Sequence, residues 1–174
     1  MPRIYLSPST QDWNPYVDGS GSEDYWMNLL ADTLEPYLYA NTISFVRNTP
    51  EMTAASSIAQ ANSLGGFDFY LALHSNASTS HEARGPEVIV ASNGRARTLA
   101  NAIYNQLRTI NPYPGRGVLY DTYYGELRLT KAPANLIEVD FHDNPEGAQW
   151  IIDNMNLIAE KIADGVDEYF YGQN

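Results

Sequence analysis

The chain has 174 residues, with ten Lys and Arg against 21 Asp and Glu, which gives a formal net charge of −11. This acidic balance excludes a protein that works by coating nucleic-acid phosphates, because it has no stripe of Lys and Arg to release counterions. The absence of cysteine excludes disulfides, thiol nucleophiles and thiolate metal sites, so a catalytic metal would need His, carboxylate or amide ligands. The length predicts a single domain that spans residues 1–174.

The pattern of apolar residues predicts strands that alternate with helices. In the first half, the predicted elements are a strand at Ile4–Ser7, a helix at Glu23–Ala40, a strand at Thr42–Arg47, a helix at Thr53–Leu64 and a strand at Phe67–His74. Pro36 is expected to end or kink the last turn of the first helix. The segment FDFYLALH is apolar almost throughout, which is typical of a central strand buried on both faces.

The second half continues the alternation. The predicted elements are a strand at Glu87–Ala91, a helix at Arg95–Ile110, strands at Val118–Tyr120 and Asn135–Asp140, and a helix from Pro145 to about Phe170 with Asn144 as its N-cap. Together the elements predict an α/β fold, a single domain with a largely parallel mixed β-sheet of about six strands and helices on both faces. Such sheets bind ligands beyond the carboxyl ends of their strands.

Four polar residues from separate parts of the chain are expected at that edge. His74 ends the most buried strand, and Glu138 lies near the end of the last strand. Gln11 is in the loop after the first strand, and Glu23 begins the helix that follows this loop. The topology therefore predicts that these side chains share one edge of the sheet.

Each of these residues also has a purely structural interpretation. His74 is interpretable as a strand-end histidine bonded to a neighbouring loop, and Glu23 as the acidic member of a capping box that begins at Ser20. Glu138 is harder to explain in this way, because an unpaired carboxylate buried at the end of an apolar strand costs several kcal/mol.

Histidine and carboxylate ligands without cysteine favour a hard or borderline metal, with zinc first. Catalytic zinc usually has three protein ligands and a water molecule, and a separate carboxylate accepts the proton of that water. On this reasoning Glu23 and His74 are predicted as metal ligands and Glu138 as the catalytic base.

Six segments in order resemble the zinc-dependent N-acetylmuramoyl-L-alanine amidases of the amidase-3 family. They are IYLSPSTQ, where the family has a strand leading to Asp-Pro-Gly-His-Gly; Glu23; Arg47; LALHSNAS with His74; Arg116-Gly117-Val118; and PANLIEVDFHDNPEG with Glu138. The resemblance covers nearly the whole chain and does not depend on one short motif.

The resemblance implies a peptidoglycan hydrolase that cleaves the amide between N-acetylmuramic acid and the L-alanine of the stem peptide. It implies one Zn²⁺ per chain, with Glu138 taking the proton of the attacking water and passing it to the leaving amine. Peptidoglycan or a muropeptide is the expected partner, and Asn76, just after His74, is expected to bind substrate. Cleavage of another amide or peptide near the cell wall stays open as a variant of this hypothesis.

One position departs from the family pattern. The first histidine ligand is missing, and its place falls at Thr10 or Gln11. Gln11 is a candidate for the third metal ligand through its amide oxygen, although amides bind zinc weakly. His142 is the competing candidate, because side-chain alternation in an extended chain would place it on the face of Glu138 and Asp140. The same departure supports an alternative function, a catalytically inactive homologue that binds muropeptides or a partner.

The sequence shows no signal peptide and no stretch near the roughly 20 apolar residues of a membrane span. We therefore expect synthesis in the cytoplasm and action on the cell wall after lysis or non-classical release.

Overall fold

A six-stranded sheet with helices on both faces forms the computed structural model, which describes residues 1–172. The strands are β1 (Arg3–Pro8), β2 (Ser44–Arg47), β3 (Phe69–Asn76), β4 (Glu87–Val90), β5 (Gly117–Tyr120) and β6 (Ala134–Phe141). The helices are α1 (Glu23–Ala40), α2 (Ala54–Leu64), α3 (Arg95–Leu107), α4 (Gly125–Arg128), α5 (Pro145–Asp153) and α6 (Met155–Tyr171). No helix within this described part is long and apolar enough to cross a membrane.

The strands follow the order β2-β1-β3-β6-β4-β5 across the sheet. All neighbours are parallel except β4 and β6, which are antiparallel. The predicted α/β fold with a largely parallel mixed sheet is therefore confirmed. The strands β1, β3 and β6 lie side by side in the middle, so their carboxyl ends meet at one edge.

Side-chain alternation along β3 separates two cores. Leu71 and Leu73 pack in the larger core together with α1, α3, α5 and α6, whereas Tyr70 and Ala72 pack in the smaller core against α2 and α4. His74 continues the parity of Tyr70 and Ala72. It therefore points to the face that the two shorter helices cover, and these helices leave a cleft open at the carboxyl edge of the sheet.

Helix α3 ends at Leu107 and not at Ile110, α4 lies outside the predicted helices, and three other features of the helices differ from the prediction. Helix α1 continues through Pro36 to Ala40; Pro36 is exposed, so water can satisfy the carbonyl that lost its partner. The N-cap of α1 is Ser22, whose side chain accepts a hydrogen bond from a backbone N–H of the first turn, and not Ser20. The predicted last helix is two helices, because the backbone of Asn154 leaves the helical conformation (φ −113°, ψ 17°). The Asn154 side chain donates to the Trp150 carbonyl at 2.8 Å, beside the backbone N–H of Asn154, which donates to the same carbonyl at 3.1 Å.

Candidate functional site

The four residues predicted at the carboxyl edge line one cleft of about 880 Å³. Gln11 comes from the loop between β1 and α1, Glu23 from the first turn of α1, His74 from β3 and Glu138 from β6. The structure thus brings together side chains that are up to 127 positions apart, 138 − 11, in the sequence.

His74 is held between two carboxylates. Its Nδ1 lies 2.8 Å from Glu23 Oε1, and its Nε2 lies 2.8 Å from Glu126 Oε2. Burial acts to lower the pKa of His74, but the charges and hydrogen bonds of Glu126 and Glu23 outweigh it and raise the pKa well above 6.5. Both ring nitrogens therefore carry a proton unless another cation takes the place of one of them.

Glu23 is placed by the start of α1 and is 1% exposed. Its carboxylate contacts His74, and its Oε2 accepts a hydrogen bond from Asn14 Nδ2 at 2.7 Å. Burial acts to raise its pKa, yet the hydrogen bond and positive charge of His74 bring the pKa below 4.5. Because the Ser22 side chain caps the helix, the Glu23 carboxylate is not consumed in a capping box with Ser20.

Gln11 and His142 both meet Glu23 through Asn14. The Asn14 amide nitrogen lies 3.4 Å from Gln11 Oε1 and 2.7 Å from Glu23 Oε2, so it holds the two oxygens near each other. His142 Nε2 lies 3.1 Å from Asn14 Oδ1, and His142 Nδ1 lies 2.9 Å from Ser75 Oγ. Asn14 therefore contacts Glu23 directly, whereas His142 reaches Glu23 only through Asn14.

A register shift explains the orientation of His142. His74 pairs with Glu138 across β3 and β6, but the next pair is Asn76 with Phe141, so β6 contains one extra residue. Such a bulge reverses the alternation of side chains. The expectation that His142 shares a face with Glu138 is therefore wrong.

Glu138 is 5% exposed, and its Oε2 has no hydrogen-bond partner among the described residues. Burial is the largest cause that raises its pKa, to about 8, and the neighbouring carboxylates of Glu23, Glu87 and Glu126 add to the rise. The positive charge of His74 opposes this rise. Glu138 is thus a buried carboxyl group with one free oxygen in a site rich in negative charge.

Asn76, the predicted substrate-binding residue, lines the same cleft. Its Nδ2 donates to Glu87 Oε2 at 3.2 Å, and its Oδ1 accepts from the backbone N–H of Ala77 at 2.8 Å. Glu87 is fully buried and pairs with Arg116, whose Nη2 lies 2.8 Å from Oε2. These contacts fix the Asn76 side chain on the wall of the cleft.

Glu126 is the site residue that the sequence analysis missed. It lies in α4, a single helical turn, and its Oε1 is 3.1 Å from Tyr70 Oη and 3.2 Å from Ser7 Oγ. Nothing in the segment YYGELR distinguishes a buried glutamate from a solvated one. Only the packing of α4 over the face that carries His74 makes it part of the site.

The open side of the cleft carries aromatic rings. Trp13 and Tyr123 are 72% and 84% exposed, and both line the cleft together with the half-buried Tyr124. Exposed rings at the mouth of a cleft provide flat apolar surfaces beside a polar centre, as binding sites for small molecules commonly do.

The donor set fits a divalent cation with two strong ligands and a weaker third. Within residues 1–172 no group of three His, Asp or Glu side chains is placed to hold a metal, so the third ligand would be the amide oxygen of Gln11. The ligand atoms of Glu23 and His74 already lie 2.8 Å apart. The buried Oε2 of Glu138 also has no hydrogen-bond partner among the described residues.

Comparison with known proteins places the chain in one family. The family model described as N-acetylmuramoyl-L-alanine amidase matches residues 17–168. The probable cell wall amidase LytH of Staphylococcus aureus is 30% identical over 105 residues, which are 59% of this chain and 35% of LytH, so the match spans about a third of that relative.

Solved structures share the fold over nearly the whole chain. The catalytic domain of CwlV, an N-acetylmuramoyl-L-alanine amidase from Bacillus (Paenibacillus) polymyxa, aligns with a TM-score of 0.86 at 21% identity, covering 97% of this chain and 98% of that one. The catalytic domain of the CD27L endolysin, which targets Clostridia difficile, aligns with a TM-score of 0.78 at 24% identity, covering 95% and 97%.

Proposed function

The chain belongs to the N-acetylmuramoyl-L-alanine amidase family, and we propose that it hydrolyses the amide between N-acetylmuramic acid and the L-alanine of the stem peptide. The observation that carries the proposal is the convergence of Glu23, His74 and Glu138 in one cleft at the carboxyl edge of the sheet. This arrangement joins two candidate metal ligands to a carboxyl group that is free to move a proton.

We further propose that the site binds one Zn²⁺, held by Glu23, His74 and the amide oxygen of Gln11. The chemistry that the ion supplies when bound is Lewis-acid polarisation of the scissile carbonyl. The negative charge of Glu23 and the 2.8 Å separation between its Oε1 and His74 Nδ1 support this assignment. Because the third ligand is an amide, the affinity for zinc should be lower than that of a site with two histidines.

Glu138 is the proposed proton carrier. Its Oε2 has no partner within residues 1–172, so it is free to accept a proton from the attacking water and to return it to the leaving amine. A pKa of about 8 favours the protonated form at neutral pH. A nearby cation would lower that pKa towards neutrality, where an acid–base group works best.

The mouth of the cleft is suited to an uncharged sugar beside a peptide. Trp13 and Tyr123 offer exposed ring faces on which a sugar ring can pack, and Asn76 presents an ordered amide on the wall. We therefore propose that peptidoglycan or a muropeptide is the partner, with its sugar near the aromatic rings.

Product analysis tests the reaction. Purified peptidoglycan is incubated with the protein and zinc, and the soluble products are identified by mass spectrometry. Only cleavage at the proposed amide releases stem peptides with a free L-alanine amino terminus. Peptides cut elsewhere would redirect the proposal to another amide of the wall, and a Glu138→Gln variant with unchanged turnover would refute the role of Glu138.

A muropeptide-binding module without catalysis is the second candidate. It is favoured by Gln11 in the loop where the family pattern has a histidine, and by the engagement of both His74 nitrogens with carboxylates. Tight muropeptide binding with no turnover at any zinc concentration would support this function. Turnover that is abolished by a chelator and restored by zinc would rule it out.

A further inference from the structure

We infer that Glu126 is a positioning residue that fixes the orientation of the His74 ring and keeps a proton on Nε2, so that Nδ1 is the nitrogen offered to a metal. The inference rests on the proposed zinc site, but it concerns a residue outside the predicted ligand set. Glu126 and Glu23 contact opposite sides of the His74 imidazole, and Glu126 Oε2 lies 2.8 Å from Nε2.

The surroundings of Glu126 determine which of its atoms accept hydrogen bonds. Ser7 Oγ receives hydrogen bonds from Tyr70 Oη at 2.8 Å and from Asn48 Nδ2 at 3.4 Å, so its own proton is directed to Glu126 Oε1. The second oxygen, Oε2, is then free to accept from His74. An acceptor-only carboxylate at this position requires a proton on Nε2.

The consequence appears on the other side of the ring. With its proton on Nε2, a neutral His74 directs the Nδ1 lone pair at Glu23 Oε1, 2.8 Å away. Two acceptors at this distance repel each other unless a proton or a metal cation lies between them, so a bound metal would take the place of the Nδ1 proton. Glu126 thus prepares His74 Nδ1 and the Glu23 carboxylate as a pair of metal ligands. A carboxylate that is hydrogen-bonded to a histidine ligand also raises the basicity of that ligand. Such support offsets part of the weakness of an amide as third ligand.

Glu126→Gln is the decisive variant, because it keeps the shape of the side chain and changes its hydrogen bonding. The donors around Ser7 hold the amide oxygen at the Oε1 position, so the amide NH₂ faces His74 and Nε2 must become an acceptor. The proton of a neutral His74 then moves to Nδ1, where it is shared with Glu23 and blocks the metal ligand. Asp140→Asn is the matched control, since Asp140 is also buried but contacts Arg84 and not His74 or the cleft.

Two measurements on the full chain test the inference. Zinc affinity is measured by competition with a chromophoric chelator, and the protonation of His74 Nε2 is measured by ¹⁵N NMR of histidine-labelled protein. We expect Glu126→Gln to weaken zinc binding by about 10- to 100-fold and to remove the Nε2 proton, whereas Asp140→Asn changes neither.

These measurements distinguish a failure of the role of Glu126 from a failure of the proposed hydrolysis. Zinc affinity equal to that of the wild type, or a proton retained on Nε2 in Glu126→Gln, would overturn the role of Glu126 and leave the proposed hydrolysis standing. A wild-type protein that binds zinc but releases no stem peptide would overturn the hydrolysis and leave the role of Glu126 standing. If the wild type bound no zinc, both the zinc site and the assignment of Nδ1 as its donor would be overturned.

Discussion

Glu138→Gln should make the metal-free protein more stable at neutral pH. In the unfolded chain Glu138 titrates near 4.5, whereas burial raises the pKa in the folded protein to about 8. Between these pH values the folded state keeps a proton that the unfolded state has released, so the free energy of unfolding falls by about 1.4 kcal/mol per pH unit. From pH 4.5 to pH 7 the loss amounts to roughly 3 kcal/mol, and it levels off above pH 8.

A glutamine at this position carries no charge and avoids that loss. The free energy of unfolding is measured by urea denaturation in the presence of a chelator, for wild type and Glu138→Gln between pH 5 and pH 9. The variant should gain on the order of 3 kcal/mol at pH 7 and much less at pH 5. Glu82→Gln, which changes an exposed loop carboxylate, should show no gain. Equal stability at pH 7, or a gain that does not depend on pH, would refute the electrostatic reasoning.

The same variant should lose activity while it gains stability. Loss of a general acid–base group lowers turnover by about 10²- to 10⁴-fold. Opposite signs for stability and turnover are typical of a residue kept for function and not for folding. A loss of turnover accompanied by a loss of stability would instead indicate that Glu138 is part of the structural core.

Three further variants test other parts of the molecule. Gln11→His should raise zinc affinity at least about tenfold in the chelator competition, because imidazole is a better zinc ligand than an amide, and an unchanged affinity would remove Gln11 from the site. Trp13→Ala should lower kcat/KM for peptidoglycan by about 2- to 10-fold, while Tyr39→Ala, an equally exposed ring on α1, should not. Gly165→Ala should lower the free energy of unfolding, measured by urea denaturation, by about 1–3 kcal/mol, because a Cβ there would lie 2.6 Å from Ile103 Cα. This loss is expected despite the better helix propensity of alanine, and unchanged stability would show that α3 and α6 can separate freely.

Local patterns were sufficient to predict the fold. The apolar run before His74 is a central strand, and the Asn144-Pro145 pair begins a helix with the Asn144 side chain as its cap. These features depend on a few neighbouring residues, and so they are visible in sequence. The break at Asn154 was not predicted, because the apolar stripe continues across it and only the backbone angles of Asn154 show the interruption.

The site was predictable only where the strand ends determine it. Glu23, His74 and Glu138 follow from topology, because parallel strands bring their carboxyl ends to one edge. The position of His142 depends on a bulge of one residue in β6, and that of Glu126 depends on how a single helical turn packs on the sheet. Neither a register shift nor a tertiary contact of this kind has a signature in the neighbouring residues.

Release of stem peptides from purified peptidoglycan, followed by mass spectrometry with and without zinc, tests the central claim most directly. The proposed function predicts peptides with an L-alanine amino terminus, lost after treatment with a chelator, restored by about one equivalent of zinc and absent with Glu138→Gln. Intact peptidoglycan after prolonged incubation with the wild-type protein and zinc would contradict it.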